Sequence, residues 1–130
     1  MDDCIFCKIV RSEIPCKKVF EDEKFLAFLD IEPFTEGHIL IVPKTHYRWV
    51  YDVPNFGEYW EFVKKTTEII QAKLNPVFIS YLTMGNDVPH AHIHLIPRYQ
   101  DDKLIGVFGE NLRSKPDSME LNKILDKIKS

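Results

Sequence analysis

One stretch of helical periodicity constrains the fold of this chain more than any other feature of its sequence. From about residue 54 to residue 74 the apolar positions recur at helical spacing, and Asn75-Pro76 ends the pattern. Short apolar runs typical of strands lie on both sides of it. Because strands and helices do not alternate strictly, the order of elements indicates an α+β domain with a mostly antiparallel sheet.

Four short segments are predicted to form strands, because they are rich in aromatic and β-branched residues and are bounded by turn formers. They are residues 25–29, 38–42, 77–83 and 91–98. A last helix is predicted near the C-terminus, with Asp117 and Glu120 placed as in a capping box. Its apolar positions follow the i, i+3, i+4, i+7 pattern and are Leu121, Ile124, Leu125 and Ile128.

Length and charge exclude several classes of protein. A chain of 130 residues suits one domain, and a net charge of −3, from 17 basic and 20 acidic residues, is too weak and of the wrong sign to hold duplex nucleic acid or an anionic membrane. The sequence has no apolar run of about 18 residues, and Met1-Asp2-Asp3 is acidic where a signal peptide is basic. We therefore expect a cytoplasmic protein that binds any phosphate through local contacts.

Three of the five histidines, His90, His92 and His94, alternate along a predicted strand. Their side chains should therefore leave one face of the sheet about 6 to 7 Å apart. The row could be buried and bonded to backbone carbonyls, although desolvating three imidazoles without a function is costly. It could bind a metal, but neighbours on one strand need a strong twist to converge on one ion. In the third interpretation, one imidazole attacks phosphorus while the others orient it and bind the developing charge.

The cysteines offer a second candidate site. Cys4 and Cys7 are separated by two residues, a spacing that suits a metal better than a structural disulfide in a chain with three cysteines. The alternative is a pair of reduced thiols at the start of a helix. Cys16 is interpreted as a small, half-buried side chain.

The segment from His90 to Arg98, which reads His-Ala-His-Ile-His-Leu-Ile-Pro-Arg, resembles the signature of the histidine-triad (HIT) family of nucleotide hydrolases and transferases. Further segments resemble the family in order and spacing; they are residues 4–10, 14–15, 20–22, 25–31 and 37–46. The resemblance covers residues 4 to 99 and is loose over residues 100–130, the variable tail and helix. It implies one histidine-triad domain over residues 1–130, with a five-stranded, mostly antiparallel sheet, a long helix packed on it and a C-terminal helix.

The resemblance assigns the chemistry to His92, the middle histidine of the triad. This residue would form a nucleotidyl-imidazole intermediate at the α-phosphate, which water then hydrolyses. A neutral imidazole with a hydrogen bond at one ring nitrogen can aim the other at phosphorus. His94 resembles the triad member that contacts the phosphate, and His38 resembles the upstream histidine packed against it. From the residues alone, His38 could equally be a strand-end histidine bonded to backbone.

The resemblance also implies a site for a purine nucleotide. Asp30 resembles the aspartate that accepts both ribose hydroxyls, although its position also suits a turn-initiating aspartate. The residues that resemble the base pocket of the family would otherwise be interpreted as core; they are Ile5, Phe6, Ile9, Phe28 and Ile31.

A metal could use the remaining ligand set of Cys4, Cys7, His46 and His90. Two thiolates and two imidazoles with no open position are the pattern of a structural zinc, and the bacterial-type branch of the family resembles this arrangement. His90 then belongs to the metal rather than to the catalytic row. The family typically pairs two sheets, so we also expect a homodimer.

The loop before the triad departs from the family. Many members have an alanine-glycine-glutamine step that holds the phosphates, and this chain lacks it. Asn86 stands where the glutamine stands, and Asp87 where a serine, threonine or glutamate assists the leaving group. A carboxylate beside an anionic substrate is unfavourable unless it is protonated or accepts from an amine, which favours phosphoramidates over polyphosphates.

The sequence therefore predicts a hydrolase that cleaves nucleoside 5′-phosphoramidates or related adenylated substrates through a nucleotidyl-histidine intermediate. The alternatives are a dinucleoside polyphosphate hydrolase or nucleotidyl transferase and, from another class, a nucleotide-responsive interaction module with little turnover.

Overall fold

The computed structural model describes residues 3–104 and 113–130. A 3-10 turn at Val50–Asp52 precedes the long helix. The helices and strands, in chain order, are α1 (Ile5–Val10), β1 (Lys18–Glu21), β2 (Phe25–Leu29), β3 (Ile39–Pro43), α2 (Phe56–Leu74), β4 (Phe78–Leu82), β5 (Ile93–Arg98) and α3 (Ser118–Lys129).

The five strands form one sheet in the order β1-β2-β3-β5-β4, and all four pairings are antiparallel. This confirms the predicted α+β class with a five-stranded antiparallel sheet. Periodicity did not predict β1, because Val19 is the only fully buried residue among its four. Strands β2 and β3 are buried at every position.

Helices cover both faces of the sheet, which explains why β2 is apolar throughout rather than alternating. The odd-numbered residues of β2, which include Phe25, pack against α2. The Phe25 and Tyr59 rings stack there with their centroids 5.0 Å apart. Leu26 and Phe28 point to the other face and pack against α1. The short helix α1 is therefore fixed on the face opposite the long helix.

The helix boundaries agree with their local signals. Helix α2 ends at Asn75, which has the left-handed φ of 51° that asparagine adopts readily. At the start of α3, the Asp117 carboxylate accepts a hydrogen bond of 2.8 Å from the Glu120 N–H. No helix in the described ranges has the length and apolar character needed to cross a membrane.

The histidine segment differs from its prediction. Strand β5 begins at Ile93, so His90 and His92 precede the sheet ladder and only His94 lies in it. The backbone bends instead, because the His90 N–H donates to Val88 O at 2.8 Å and the Ala91 N–H donates to Tyr47 O at 2.7 Å. The prediction that one strand carries all three histidines is therefore wrong, and the bend allows His90 to point away from the other two.

Candidate active site

Two neighbouring cavities meet at His92 and His94. The larger, here called the apolar cavity, has a volume of about 230 Å³ and lies between α1, β2 and β5. The second, the polar cavity, has a volume of about 220 Å³ and is bounded by the loop that follows β4. Both histidines line both cavities, so a ligand that spans them passes directly over the two imidazoles.

The structure brings together all eight residues predicted to bind a nucleotide. Asn86 and Asp87 line the polar cavity. The predicted nucleotide-binding residues that line the apolar cavity are Ile5, Phe6, Ile9, Phe28, Asp30, Ile31 and Asp87. Ile5 and Ile31 are 45% and 69% exposed, so these two are not core residues, whereas Phe6, Ile9 and Phe28 are buried.

Helix α1 positions Phe6 between the sheet and the histidines. Its ring contacts Phe28 edge-on at 5.7 Å and His92 edge-on at 5.2 Å between centroids. The helix begins at Cys4, whose Sγ accepts from the Cys7 N–H at 3.4 Å. The same short helix therefore supplies a wall of the apolar cavity and two thiols.

His92 is held in one tautomer by the backbone. Its Nδ1 lies 2.8 Å from the carbonyl oxygen of His90, and because a carbonyl only accepts, Nδ1 carries the proton and donates. The lone pair is therefore on Nε2, and the ring lines both cavities. Burial lowers the pKa of His92 below its usual 6.5, so the ring is neutral at pH 7. An oriented, neutral imidazole of this kind is a competent nucleophile.

His38 and His94 form a second oriented pair. The Phe34 N–H donates to His38 Nδ1 at 3.0 Å, so the His38 proton is on Nε2, which lies 2.8 Å from His94 Nδ1. His94 Nδ1 accepts this hydrogen bond from His38, so His94 carries its own proton on Nε2. Burial lowers the pKa of both rings to about 3, which keeps them neutral. His38 therefore makes both predicted contacts, one with the backbone and one with His94, and its catalytic role stays a prediction.

A separate Cys/His cluster lies beside His92. The predicted ligand atoms of Cys4, Cys7, His46 and His90 all lie within 4.8 Å of one another. His90 Nδ1 is 3.4 Å from Cys4 Sγ and 3.5 Å from Cys7 Sγ, and His46 Nδ1 is 3.2 Å from Cys7 Sγ. Tetrahedral zinc, with ~2.3 Å Zn–S and ~2.0–2.1 Å Zn–N bonds, separates sulfur from nitrogen by about 3.5 Å. The three sulfur–nitrogen separations are therefore close to those of a zinc site.

Hydrogen bonding also orients this cluster for a metal. His90 Nε2 donates to Pro43 O at 2.8 Å, so the Nδ1 lone pair faces the two thiols. Burial raises the pKa of Cys7 to about 11, and a bound cation would be needed to hold it as the thiolate. The backbone carbonyl of His90 bonds to His92, so one residue links the cluster to the candidate nucleophile.

Asp30, which is predicted to bind the ribose hydroxyls, is buried. Its two carboxylate oxygens have different partners. Oδ1 accepts from the Glu32 N–H at 2.8 Å, which is the turn contact considered above, and Oδ2 accepts from Arg113 Nη2 at 2.6 Å. The sequence analysis missed Arg113. No local pattern links it to Asp30, which is 83 positions away.

A family model of the HIT domain matches residues 11–101. This chain belongs to the HIT family. A HIT-like protein of Methanocaldococcus jannaschii, itself uncharacterised, is 42% identical over 133 residues, which cover 97% of this chain and 98% of that one. An adenosine 5′-monophosphoramidase of Candida albicans is 34% identical over 137 residues, which cover 97% of this chain and 89% of that one.

Solved structures agree with this assignment to the HIT family. A zinc-bound histidine triad family protein from Mycobacterium smegmatis superposes with a TM-score of 0.79 at 31% identity, over 98% of this chain and 94% of that one. The predicted histidine-triad fold is therefore confirmed.

Proposed function

We propose that this HIT protein hydrolyses nucleoside 5′-phosphoramidates or related adenylated substrates through a covalent nucleotidyl-His92 intermediate. The observation that carries the proposal is the orientation of His92, whose Nδ1–H is fixed on the His90 carbonyl, which leaves the lone pair on Nε2 of a ring that lines both cavities. The similarity to an adenosine 5′-monophosphoramidase supports the choice of substrate class.

The residues that line the two cavities suggest how the substrate would lie in the site. The base lies in the apolar cavity beside Phe6, Phe28 and Ile31, and the ribose hydroxyls lie against Asp30. The α-phosphate is then at the junction, where His94 Nε2–H donates to a phosphoryl oxygen. The leaving group occupies the polar cavity.

The reaction proceeds in two displacements. His92 Nε2 attacks the α-phosphorus, the P–N bond breaks, and the amine departs with a proton taken up from water. Water then attacks the same phosphorus, the Nε2–P bond breaks, and the nucleoside monophosphate leaves while the released proton returns to solvent. Orientation of the two imidazoles reduces the cost of both steps.

Asp87 decides the proposed preference among leaving groups. It lines both cavities, so its carboxylate lies beside the bond that breaks. A carboxylate accepts an N–H of a leaving amine and repels the negative charge of a polyphosphate. Purified protein should therefore cleave an adenosine phosphoramidate faster than a dinucleoside polyphosphate, and the reverse order contradicts the preference.

We also propose that Cys4, Cys7, His46 and His90 hold a structural zinc. The ligand separations and the orientation of His90 support it, as does the zinc-bound relative. When bound, zinc would supply a cross-link between α1 and the loop that carries His90. The chemistry at phosphorus is performed by the histidines.

We also propose that the protein forms a homodimer. Strand β4 is an edge strand of the described sheet, and its Phe78 and Tyr81 are 53% and 45% exposed. Exposed aromatic residues on a sheet edge suit pairing with a second copy. Analytical ultracentrifugation should find a dimer that Phe78→Glu weakens, whereas Met119→Glu, a substitution at an exposed position of α3, should not affect it.

The decisive experiment is a panel of nucleotides screened for release of monophosphate, with His92→Asn as the matched variant. The wild type should turn over phosphoramidates and form a trapped nucleotide adduct in a single turnover. His92→Asn should lose both and still bind AMP. A wild type that binds nucleotide without ever forming an adduct would identify an interaction module instead.

A further inference from the structure

The charges around the two cavities are unfavourable for a phosphate unless one residue compensates for them. Asp30 and Asp87 contribute two carboxylates to the lining of the cavities. Among the described residues that line either cavity, Arg113 is the only lysine or arginine. An anionic nucleotide in this low-dielectric site therefore depends on this guanidinium for its charge balance.

Arg113 is anchored near the turn after Asp30. Ser114 holds the segment, because its N–H donates to Pro33 O at 2.8 Å. The guanidinium lies 4.8 Å from the centre of the Phe34 ring, and the Arg113 side chain is only 14% exposed. The backbone beside Arg113 is thus fixed by the hydrogen bond from Ser114, and the long Arg113 side chain can reorient without moving that backbone.

The ion pair of Arg113 and Asp30 competes with the ribose. Asp30 Oδ1 is engaged by the Glu32 N–H and Oδ2 by Arg113, so both oxygens that would accept the ribose hydroxyls already have a donor. Removing one partner of a buried pair is strongly unfavourable unless another charge replaces it. A nucleoside brings hydroxyls only, whereas a nucleotide also brings an anion for the guanidinium.

The histidine predicted to contact the phosphate, His94, is close to this pair. Asp30 Oδ2 is 3.6 Å from His38 Nε2, which in turn is 2.8 Å from His94 Nδ1. Arg113 and His94 line the same two cavities. The movement that this placement calls for is a rotation of the arginine side chain, which takes the guanidinium from the carboxylate toward a phosphoryl oxygen bound at His94.

We propose that Arg113 exchanges Asp30 for the substrate phosphate on binding, and that this exchange makes the site select 5′-phosphorylated nucleosides over nucleosides. The inference rests on the proposed function, which places the ribose on Asp30 and the phosphate beside His92. It assigns a specificity role to a residue of the C-terminal segment, where the sequence resembles the HIT family only loosely.

The test compares the affinities of AMP and adenosine by isothermal titration calorimetry in the full-length protein. Arg113→Gln should weaken AMP binding about 10- to 100-fold, the loss expected for a charge-assisted hydrogen bond. Adenosine affinity should stay equal or rise, because Asp30 is released. Arg113→Lys keeps the charge without the planar fork and should retain part of the preference for AMP.

Lys115→Gln is the matched control. It removes the same charge from the same segment, and its side chain is 82% exposed and absent from both cavities. It should leave the ratio of the two affinities unchanged. Equal fold losses for AMP and adenosine in Arg113→Gln would show that Arg113 only holds the segment, and unchanged affinity for both ligands would also overturn the exchange. Failure of the proposed function is distinct, since the wild type itself would then bind neither ligand.

Discussion

The Nε2 atom of His38 lies 2.8 Å from the Nδ1 atom of His94, and the Phe34 N–H fixes the direction of that hydrogen bond. The order of donors runs from backbone amide to His38 and from His38 to His94, so the proton on His94 must be on Nε2. A neutral relay of this kind presents a donor to the substrate without placing another full charge in the site.

Breaking this relay should lower turnover. His38→Phe removes the donor to His94 Nδ1, and His94 Nε2 then loses its fixed proton. Since leaving a buried neutral partner without its hydrogen bond costs roughly 1–3 kcal/mol, kcat for a phosphoramidate should fall about 10- to 100-fold. His38→Gln, whose amide can donate, should recover part of the loss. Unchanged kcat in His38→Phe would remove His38 from the mechanism.

Stability should fall as the pH drops below 6.5. Burial lowers the pKa of His38 and His94 to about 3 and also lowers that of His92, so the unfolded chain takes up protons that the folded protein does not. The free energy of unfolding should then decrease by up to about 1.4 kcal/mol per pH unit for each such histidine, down to the folded pKa.

Urea denaturation at pH 7, 6 and 5 measures this slope, because the carboxylates whose pKa values are lowered titrate mainly below that range. His38→Phe should show a shallower slope than the wild type. A free energy of unfolding that is flat from pH 7 to 5 contradicts the buried, neutral state of these rings.

The sequence contained enough to predict the large elements. Helix α2 shows its period because one face of its 19 residues is buried, with Tyr59, Val63 and Ile70 inaccessible, and its end is marked by Asn75. Short β1 was missed because Val19 alone carries a burial signal. Local pattern detects an element only when several of its side chains share one environment.

The candidate site was predictable where residue types cluster in sequence and not where the fold brings distant ones together. The histidine motif and the cysteine pair could be recognised, although the bend at His90 depends on the Ala91 N–H reaching Tyr47 O. The contact of Arg113 with Asp30 has no local signature. Tertiary hydrogen bonds of this kind are set by packing rather than by spacing.

Removing the cysteine pair should remove metal and stability together. The wild type purified without a histidine tag should contain roughly one zinc per chain, and Cys4→Ser and Cys7→Ser should lose it. Loss should lower the free energy of unfolding by about 3 kcal/mol or more, the value for free metal at a hundredfold excess over its Kd. Cys16→Ser is the matched control, because Cys16 lies outside the cluster. Zinc that survives both substitutions rules out this site.

The last prediction concerns Gly37, which lies against Leu74 at the end of α2. Gly37 has a φ of +84°, and a Cβ added there would overlap with Leu74 Cδ1. Gly37→Ala therefore combines a disfavoured backbone conformation with a steric overlap, and it should lower the free energy of unfolding by about 1–3 kcal/mol.

Gly57→Ala is the matched control, since Gly57 lies in α2 and no atom lies within 4 Å of its added Cβ. Alanine favours the helix, so this variant should be about 0.5–1 kcal/mol more stable than the wild type. Urea denaturation compares the two. Because His38 follows Gly37 directly, Gly37→Ala should also reduce kcat while Gly57→Ala leaves it unchanged. A Gly37→Ala protein as stable and as active as the wild type would show that Leu74 yields easily and that this turn does not position His38.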